Sequence, residues 1–373
     1  MPGTGGDPGA RERRPGVGDV AVVGGYGAVG RAVSLTLARR LGVRVVVAGR
    51  DERRAQDLAR LAPEALIPRR FDVDRAEDVE RLPEQAAVVV MCVERGNEAV
   101  ARACLERGVH VVDVGASEPT LAAIERLGAV ARHGGATAVL SVGLAPGLTN
   151  LLARRCVDRL PSATSVDVTV LLGLSGDHGP DSLRWTLENL AGPAAPSGPR
   201  RARVALPDFG VRTAYPFPFS DQHTLTRTLG IPVTTRVCFD SAAVTAALFG
   251  LRRAGVVRSL HRAGATRLLA AATSRLPLGG DRFVVHAAAG DGSGVATWAA
   301  VTGRQECRAT GVLAAHVADL LLRRPPPAGV RHIDEVVDAA AFLPALRPYG
   351  LALQEGSSGG GRPWRDVIPS SRR

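Results

Sequence analysis

Between Val20 and Val142, short and nearly continuous apolar runs alternate with segments whose apolar residues recur at helical spacing. The runs are VAVV, VRVVVA, ALIPRRF, AAVVVMC, VHVVDV and ATAVLSV. Between them the spacing predicts helices over Ala28–Leu41, Glu52–Leu61, Ala76–Leu82, Asn97–Arg107 and Thr120–Arg132. A strand with one wet face alternates polar and apolar residues, and these runs do not. They read as parallel strands covered by helices on both faces. Six such strands make a full doubly wound, dinucleotide-binding sheet.

The pattern changes after GLAPGLTN. SVDVTVLLGL alternates as a half-buried strand does, and PVTTRVCF, RFVVHAAAG and VATWAAVTG read as further strands. A helix is expected from Ser241 to Gly255, another from Gly311 to Leu322, and a surface loop in the Pro- and Gly-rich LENLAGPAAPSGPRRARV. The expected fold class is therefore α/β: an N-terminal Rossmann domain with a parallel sheet, then a second α+β domain with a mainly antiparallel one. The expected boundaries are an unstructured arm over 1–17, the Rossmann domain over 18–145 and the second domain over 146–308. A helix and returning segment follow over 309–354, and an unstructured tail over 355–373.

Composition narrows the chemistry. The formal charge is +11, yet all 47 basic residues are arginine and they scatter among Asp and Glu. No basic run is interleaved with aromatics, so nucleic acid is not an expected partner. Without lysine, a Schiff base, a Walker A loop and a Tyr-x-x-x-Lys pair are all excluded. The longest apolar runs fall well short of the roughly 20 residues that span a bilayer, and no membrane partner is expected. Five dispersed cysteines without C-x-x-C suit a reducing cytoplasm rather than a zinc or disulfide framework.

The sharpest local signal is Gly25-Tyr26-Gly27-Ala28-Val29-Gly30, a G-x-G-x-x-G placed directly after a strand and opening a helix. Gly25 permits the tight turn, Gly27 lets a diphosphate approach the backbone, and Gly30 lets the helix pack on the strand. An NAD site places Asp or Glu at the end of the second strand. Here Ala48 and Gly49 stand there and Arg50 follows, which favours the 2′-phosphate of NADP. Asp51 is either an N-cap for the next helix or an acid for the ribose, and the helical residues that follow favour the cap. Asp72 is either an adenine partner or a turn residue. Cys92 and Val93, with Glu94, end the fourth strand and should face the nicotinamide ribose; Cys92 reads as a small apolar residue rather than a nucleophile.

Four residues are the catalytic candidates. Asp113 ends the fifth strand at the expected mouth of the crevice; its plainer reading is a cap for the following loop. His178, in GDHGP, has a near-neutral reference pKa suited to proton transfer, and is otherwise a solvated loop histidine. Arg184 and Trp185, in DSLRWTLENL, suit a bidentate carboxylate clamp and a pocket wall, or else one face of an amphipathic helix. Asp221 and His223 form a further polar cluster. His110 and His316 sit in packing contexts, and no metal-ligand spacing occurs.

The blocks VVGGYGAVGRAVS, VVVAGRDERRAQDLA and VVVMCVERGNEAVARACLERGVHVVDVGAS resemble the saccharopine dehydrogenase superfamily. So do VGLAPGLTNLLA, DVTVLLGLSGDHGPDSLRWTLENL, YPFPFSDQHTLTRTLG and LLLRRPPPAGVRHIDEVVD. The resemblance implies an NADP-binding Rossmann domain, a second domain carrying substrate site and homodimer contact, and a C-terminal helix returning to the first. It implies reversible hydride transfer at the C–N bond of an amino-acid-derived small molecule bearing carboxylate and amine or imine groups. Glutamate-forming members carry G-L-D-P-G-x-D-H, whereas this chain has Ala145 in place of the Asp and Asn150 in place of the His. In that block it is closer to carboxynorspermidine-type members. Lysine-forming members use a lysine that this chain lacks. Two alternatives stand beside this reading: a C=C or C=O reductase on the same scaffold, and a catalytically silent NADP-binding partner or sensor.

Overall fold

The first sheet is built mainly from β-branched runs buried on both faces. A computed structural model describes residues 19–174, 189–192, 201–262 and 279–358. In it β1 (Val20–Val23), β2 (Val45–Gly49), β3 (Leu66–Arg70), β4 (Val88–Met91), β5 (His110–Asp113) and β6 (Thr137–Leu140) run parallel. They alternate with α1 (Ala28–Arg40), α2 (Glu52–Ala59), α3 (Ala76–Arg81), α4 (Asn97–Glu106), α5 (Glu118–Glu125) and α6 (Gly128–Gly134). Successive side chains point to opposite faces. Val20, Val22, Val45, Val47, Val88 and Val90 therefore pack in one core with Val33 and Leu37 of α1. Ala21, Val23, Val46, Val89 and Met91 pack in the other with Val100 and Cys104 of α4. The single helix expected over Thr120–Arg132 is two, broken around Leu127, where Gly128 starts the second.

The second region begins with α7 (Leu148–Arg159) and forms its own sheet from β7 (Ser165–Leu172), β8 (Ala202–Leu206), β9 (Gly210–Pro216) and β10 (Val233–Phe239). Helices α8 (Asp221–Leu229), α9 (Ala242–Arg253) and α10 (Val256–Arg262) flank these strands, and β11 (Arg282–Gly290) and β12 (Ala296–Arg304) complete its centre. Then follow α11 (Glu306–Arg323), β13 (Gly329–His332), α12 (Ile333–Val336), α13 (Ala339–Ala345) and β14 (Ala352–Ser358). The second sheet has the order β14-β12-β11-β7-β10-β9-β8 and is antiparallel apart from the β7–β10 pair. Leu148, Leu151, Leu152 and Cys156 of α7 pack on one face of it, against Val166, Val168, Val285 and Ala287. The expected α/β class, with a Rossmann sheet and a second mixed sheet, is what the chain forms.

Four expectations need correction. The first sheet has seven strands, in the order β13-β6-β5-β4-β1-β2-β3, because the late segment Gly329–His332 pairs in parallel with β6. The strands β8 and β9 were missed; β8 begins inside the stretch read as a long loop, whose first part, Asn189–Ala191, is helical. Helix α11 starts at Glu306 and not at Gly311. The tail expected to be unstructured from 355 contributes Glu355–Ser358 to β14. Arg155 fixes Glu355 at 2.7 Å, and the bare face of Gly356 lies under Trp298, where a Cβ would stand 2.6 Å from the indole ring.

A buried polar network ties the two sheets together. Ser141, just after β6, meets His332 Nδ1 at 2.9 Å, and His332 Nε2 meets Glu125 at 2.9 Å. Asn150 Oδ1 accepts from the Gly147 N–H (3.0 Å), while its Nδ2 donates to Asp334 (3.0 Å) and Thr224 (3.3 Å). Thr228 of α8 donates to the other Asp334 oxygen at 2.6 Å.

Helices α1 and α11 cross at Gly311. A Cβ there would stand 2.5 Å from the Ala32 methyl and 2.9 Å from the Val29 carbonyl oxygen. Gly311→Ala should therefore lower the unfolding free energy by about 1–3 kcal/mol, as overpacked helix contacts do. Urea denaturation monitored by circular dichroism checks this, and an unchanged midpoint would show that the crossing is not tight.

Candidate active site

In the first sheet the chain runs outward one way from β1 to β3 and the other way from β4 to β6. That reversal opens a crevice beyond the carboxyl ends of β1 and β4, the usual ligand position in doubly wound sheets. A cavity of about 710 Å³ lies there, bounded by the glycine turn, the ends of β2 to β5 and one face of the second sheet.

The turn is made by backbone proximity. Gly24 takes φ +75°, and the Gly27 N–H bonds back to its carbonyl at 2.9 Å. A Cβ on Gly30 would stand 2.2 Å from that same oxygen, so only glycine lets α1 begin here. The first helical bond of α1 runs from Arg31 N to Gly27 O (2.8 Å). The preceding N–H groups of Ala28 and Val29 have no partner within the helix, and both residues line the cavity. Such a helix start without a side-chain cap suits the diphosphate of a dinucleotide.

Tyr26 explains the end of β2. Its ring lies across Gly49, where a Cβ would be 2.4 Å from the ring edge, and its hydroxyl accepts the Asp51 N–H at 2.9 Å. The Arg54 guanidinium lies over the ring, 4.7 Å from its centroid. Asp51 is the N-cap of α2, accepting from Arg53 N (3.0 Å) and Arg54 N (3.2 Å), and it does not line the cavity. Arg50 does line it, exposed at the rim. A guanidinium without a competing carboxylate suits a 2′-phosphate. Asp72 lines the cavity as well, while its Oδ1 accepts the Asp74 N–H in a turn (3.2 Å).

Cys92 and Val93 line the crevice with Glu94 and Arg95. Burial, reinforced by the neighbouring Asp113, pushes the Cys92 thiol far up, so it stays protonated and is no nucleophile. Asp113 departs from its expected position. It is wholly buried, Oδ2 accepting from Asn97 (2.6 Å) and Oδ1 from the Gly115 N–H (2.7 Å), and the cavity is lined instead by Val114 and Ala116. Its carboxylate fastens the start of α4 to the loop after β5. Burial pushes its pKa up to about 6 against those hydrogen bonds.

His178, Arg184 and Trp185 lie outside the described residues. Asn150, at the position where the glutamate-forming pattern has His, is a buried structural amide. The crevice also gathers side chains that the sequence reading passed over. Glu306, Cys307 and Thr310 of the first turns of α11 border it, and Val170, Leu172, Leu190, Phe217, Phe219, Val237 and Phe239 form its far wall. With Phe71, four of the chain's eight phenylalanines line this one cavity. In so aromatic-poor a chain, the YPFPF block was the available signal.

These features define a two-domain dinucleotide-binding protein whose cofactor turn faces a second sheet. Residues 20–139 match the family model of the saccharopine dehydrogenase NADP binding domain, and this domain of the chain belongs to that family. NADP is accordingly its cofactor, as expected from Arg50. No curated protein sequence matches the chain. Among solved structures, an apo saccharopine dehydrogenase (L-Glu forming) from Saccharomyces cerevisiae aligns over 92% of this chain and 100% of its own. The two share 17% identity at a TM-score of 0.62, a likeness of fold. A dehydrogenase from Chromobacterium violaceum aligns over 89% of this chain and 93% of its own, with 11% identity and a TM-score of 0.42. No helix among the described residues is long and apolar enough to cross a membrane.

Two predictions test this geometry. Arg50→Ala should weaken NADPH binding about tenfold, the loss of a charge-assisted contact, and leave NADH within about twofold. Fluorescence titration of the reduced cofactors checks it; equal losses for both would remove Arg50 from the phosphate. The second concerns Asp221, wholly buried at the start of α8. Its Oδ1 accepts from Thr235 at 2.8 Å and its Oδ2 has no hydrogen-bond partner among the described residues. Burial pushes its pKa up to about 6, and the Thr235 hydroxyl opposes that shift. A carboxyl raised on folding binds its proton more tightly when folded, so its contribution is present at acid pH and is lost as pH rises through about 4 to 6. Relative to Asp221→Asn, the wild type should lose up to about 3 kcal/mol of stability between about pH 4 and pH 7. Parallel pH profiles in urea unfolding would reject a raised Asp221.

Proposed function

We propose that this protein is an NADP(H)-dependent oxidoreductase that transfers hydride to or from a C–N bond. The observation that carries this reading is the shared crevice: the glycine turn and Arg50 bound one side, and the second sheet closes the other. Nucleotide and substrate therefore meet within one cavity. When bound, NADPH supplies the hydride, so that imine, NADPH and a proton are exchanged for secondary amine and NADP.

The chain's own residues have narrower tasks in this reading. The first turn of α1 holds the diphosphate, Arg50 holds the 2′-phosphate, and Cys92 and Val93 form the floor beside the nicotinamide ribose. Asp113 keeps that floor in shape from beneath. Proton transfer is assigned to His178, and the substrate clamp to Arg184 with Trp185. The C–N specificity is supported by the family of the NADP-binding domain and by the yeast structure of similar fold, whose name records saccharopine chemistry. Five cysteines, none of them in a disulfide, accord with a cytoplasmic location, and a homodimer is proposed from the resemblance.

A C=C or C=O reductase is the second reading, and the hydrocarbon wall of the second sheet favours it. Purified protein with NADPH should consume the cofactor with a panel of imines and leave ketones and enones untouched. Consumption with enones or ketones alone would install the second reading. Tight NADPH binding without turnover on any panel would instead identify a silent NADP-binding protein.

A further inference from the structure

A second guanidinium stands near the end of β2. Tyr26 and Arg50 both line the crevice. Arg54, in the first turn of α2, holds its guanidinium 4.7 Å from the centroid of the Tyr26 ring, within the range of a cation–π contact. The ring itself is fixed at two points. Its edge lies against Gly49, where a Cβ would stand 2.4 Å away, and its hydroxyl accepts the Asp51 N–H at 2.9 Å. Asp51 in turn accepts the N–H groups of Arg53 and Arg54, at 3.0 and 3.2 Å. The ring, the end of β2 and the start of α2 are thus locked together, and the lock sets where the Arg54 guanidinium lies.

In a doubly wound sheet the adenosine ribose of a dinucleotide sits at the end of the second strand, which here is Gly49. NADP differs from NAD there by a phosphomonoester, a group of charge about −1.5 to −2 near pH 7. One guanidinium balances about half of that charge. A second supplies the remainder and another planar fork for the phosphate oxygens. Arg50 and Arg54 are both exposed, so solvent and ligand reach them. The ring contact also restricts the Arg54 side chain beforehand, so less rotamer freedom is lost when it binds. Arg53, one residue earlier, points about 100° away around the helix.

We propose that Arg54 is a further ligand of the 2′-phosphate, and that Tyr26 is the positioning residue that holds its guanidinium there. A guanidinium that only covered the ring would serve NADPH and NADH alike; one that meets the phosphate serves NADPH alone. This inference deepens the cofactor assignment and rests on NADP occupying this crevice. It does not depend on which bond receives the hydride.

Full-length protein is titrated with NADPH and NADH by fluorescence, and with 2′,5′-ADP and 5′-AMP by calorimetry. Arg54→Ala should weaken NADPH and 2′,5′-ADP at least about fivefold and leave NADH and 5′-AMP within about twofold. Arg53→Ala removes the same charge from the same turn, away from the ring, and should leave all four within about twofold. Tyr26→Leu should lower the preference for NADPH over NADH by about the factor lost in Arg54→Ala. An unchanged preference in Tyr26→Leu would remove the tyrosine from the positioning role. Wild-type NADPH affinity in Arg54→Ala overturns the inference, as do equal losses for both reduced cofactors or an equal selective loss in Arg53→Ala. Selective loss in Arg50→Ala alone rejects Arg54 and keeps Arg50 at the phosphate; selective loss in Arg54→Ala alone does the reverse. A wild type that binds none of the four rejects the crevice as the nucleotide site, and this inference with it.

Discussion

Helix α1 is held where two other backbone segments approach it closely at glycines. On one side Gly30 lies against the Gly24 carbonyl, where a Cβ would intrude to 2.2 Å; on the other Gly311 lies against the Val29 carbonyl. Backbone contact on both sides leaves α1 little freedom to shift, because packed cores resist small displacements sharply. The same helix start offers its N–H groups to the crevice, so packing and anion binding are one arrangement. Since α11 is pinned to α1 and its first turns border the cavity, that contact also places Glu306, Cys307 and Thr310. The chain then continues into β13 and extends the parallel sheet it left almost 190 residues earlier, as the Ser141–His332 separation of 191 shows.

The crevice needs a second fixed relation, between the Rossmann sheet and α7. Buried polar groups supply it. Asn150 joins the start of α7 to Asp334 at the start of α12, and Thr228 of α8 joins the same carboxylate. His332 bridges Ser141 and Glu125, and Arg227 of α8 meets that glutamate at 2.6 Å. Apolar contacts alone tolerate sliding, whereas hydrogen bonds fix register, and leaving any member unpaired is costly. The segment Gly143–Pro146, which floors the crevice between the sheets, is thereby anchored on both sides.

The parts of the fold legible in the sequence are those set by local chemistry. Apolar runs bounded by helical spacing identified the strands from β1 to β6; all but the edge strand β3, which ends in the exposed Arg69 and Arg70, are largely buried on both faces. The glycine turn was legible for the same reason: Gly25, Gly27 and Gly30 answer contacts within one strand–turn–helix unit. Features set by distant partners were not. Gly311 looked like a helix start because a glycine inside a helix is unfavourable, and only α1 crossing over it explains its place. Gly356 and Glu355 looked like tail residues until Trp298 and Arg155 supplied their partners. Asp113 stood at the right strand end, yet its side chain turned inward to Asn97 and Gly115, a choice that no periodicity records. The far wall of the crevice draws on residues from β7, β10 and the segment after β9, of which only the YPFPF block stands out in the sequence.

Cofactor preference here follows from exclusion before it follows from attraction. A carboxylate at the end of β2 would choose NAD by bonding the ribose hydroxyls. With the Tyr26 ring lying over Gly49, a side chain at that position, acidic or otherwise, would have to displace the ring. The next acid along, Asp51, is already bound to two N–H groups of α2, and its own N–H holds the Tyr26 hydroxyl in place. Tyr26 and Asp51 thus form one unit that keeps carboxylates away from the ribose. Between them Arg50 is left lining the crevice, and among the described residues its guanidinium forms no ion pair. An exposed arginine contributes little by itself. The tyrosine in the glycine turn leaves no carboxylate at the end of β2, the group that would favour the other nucleotide.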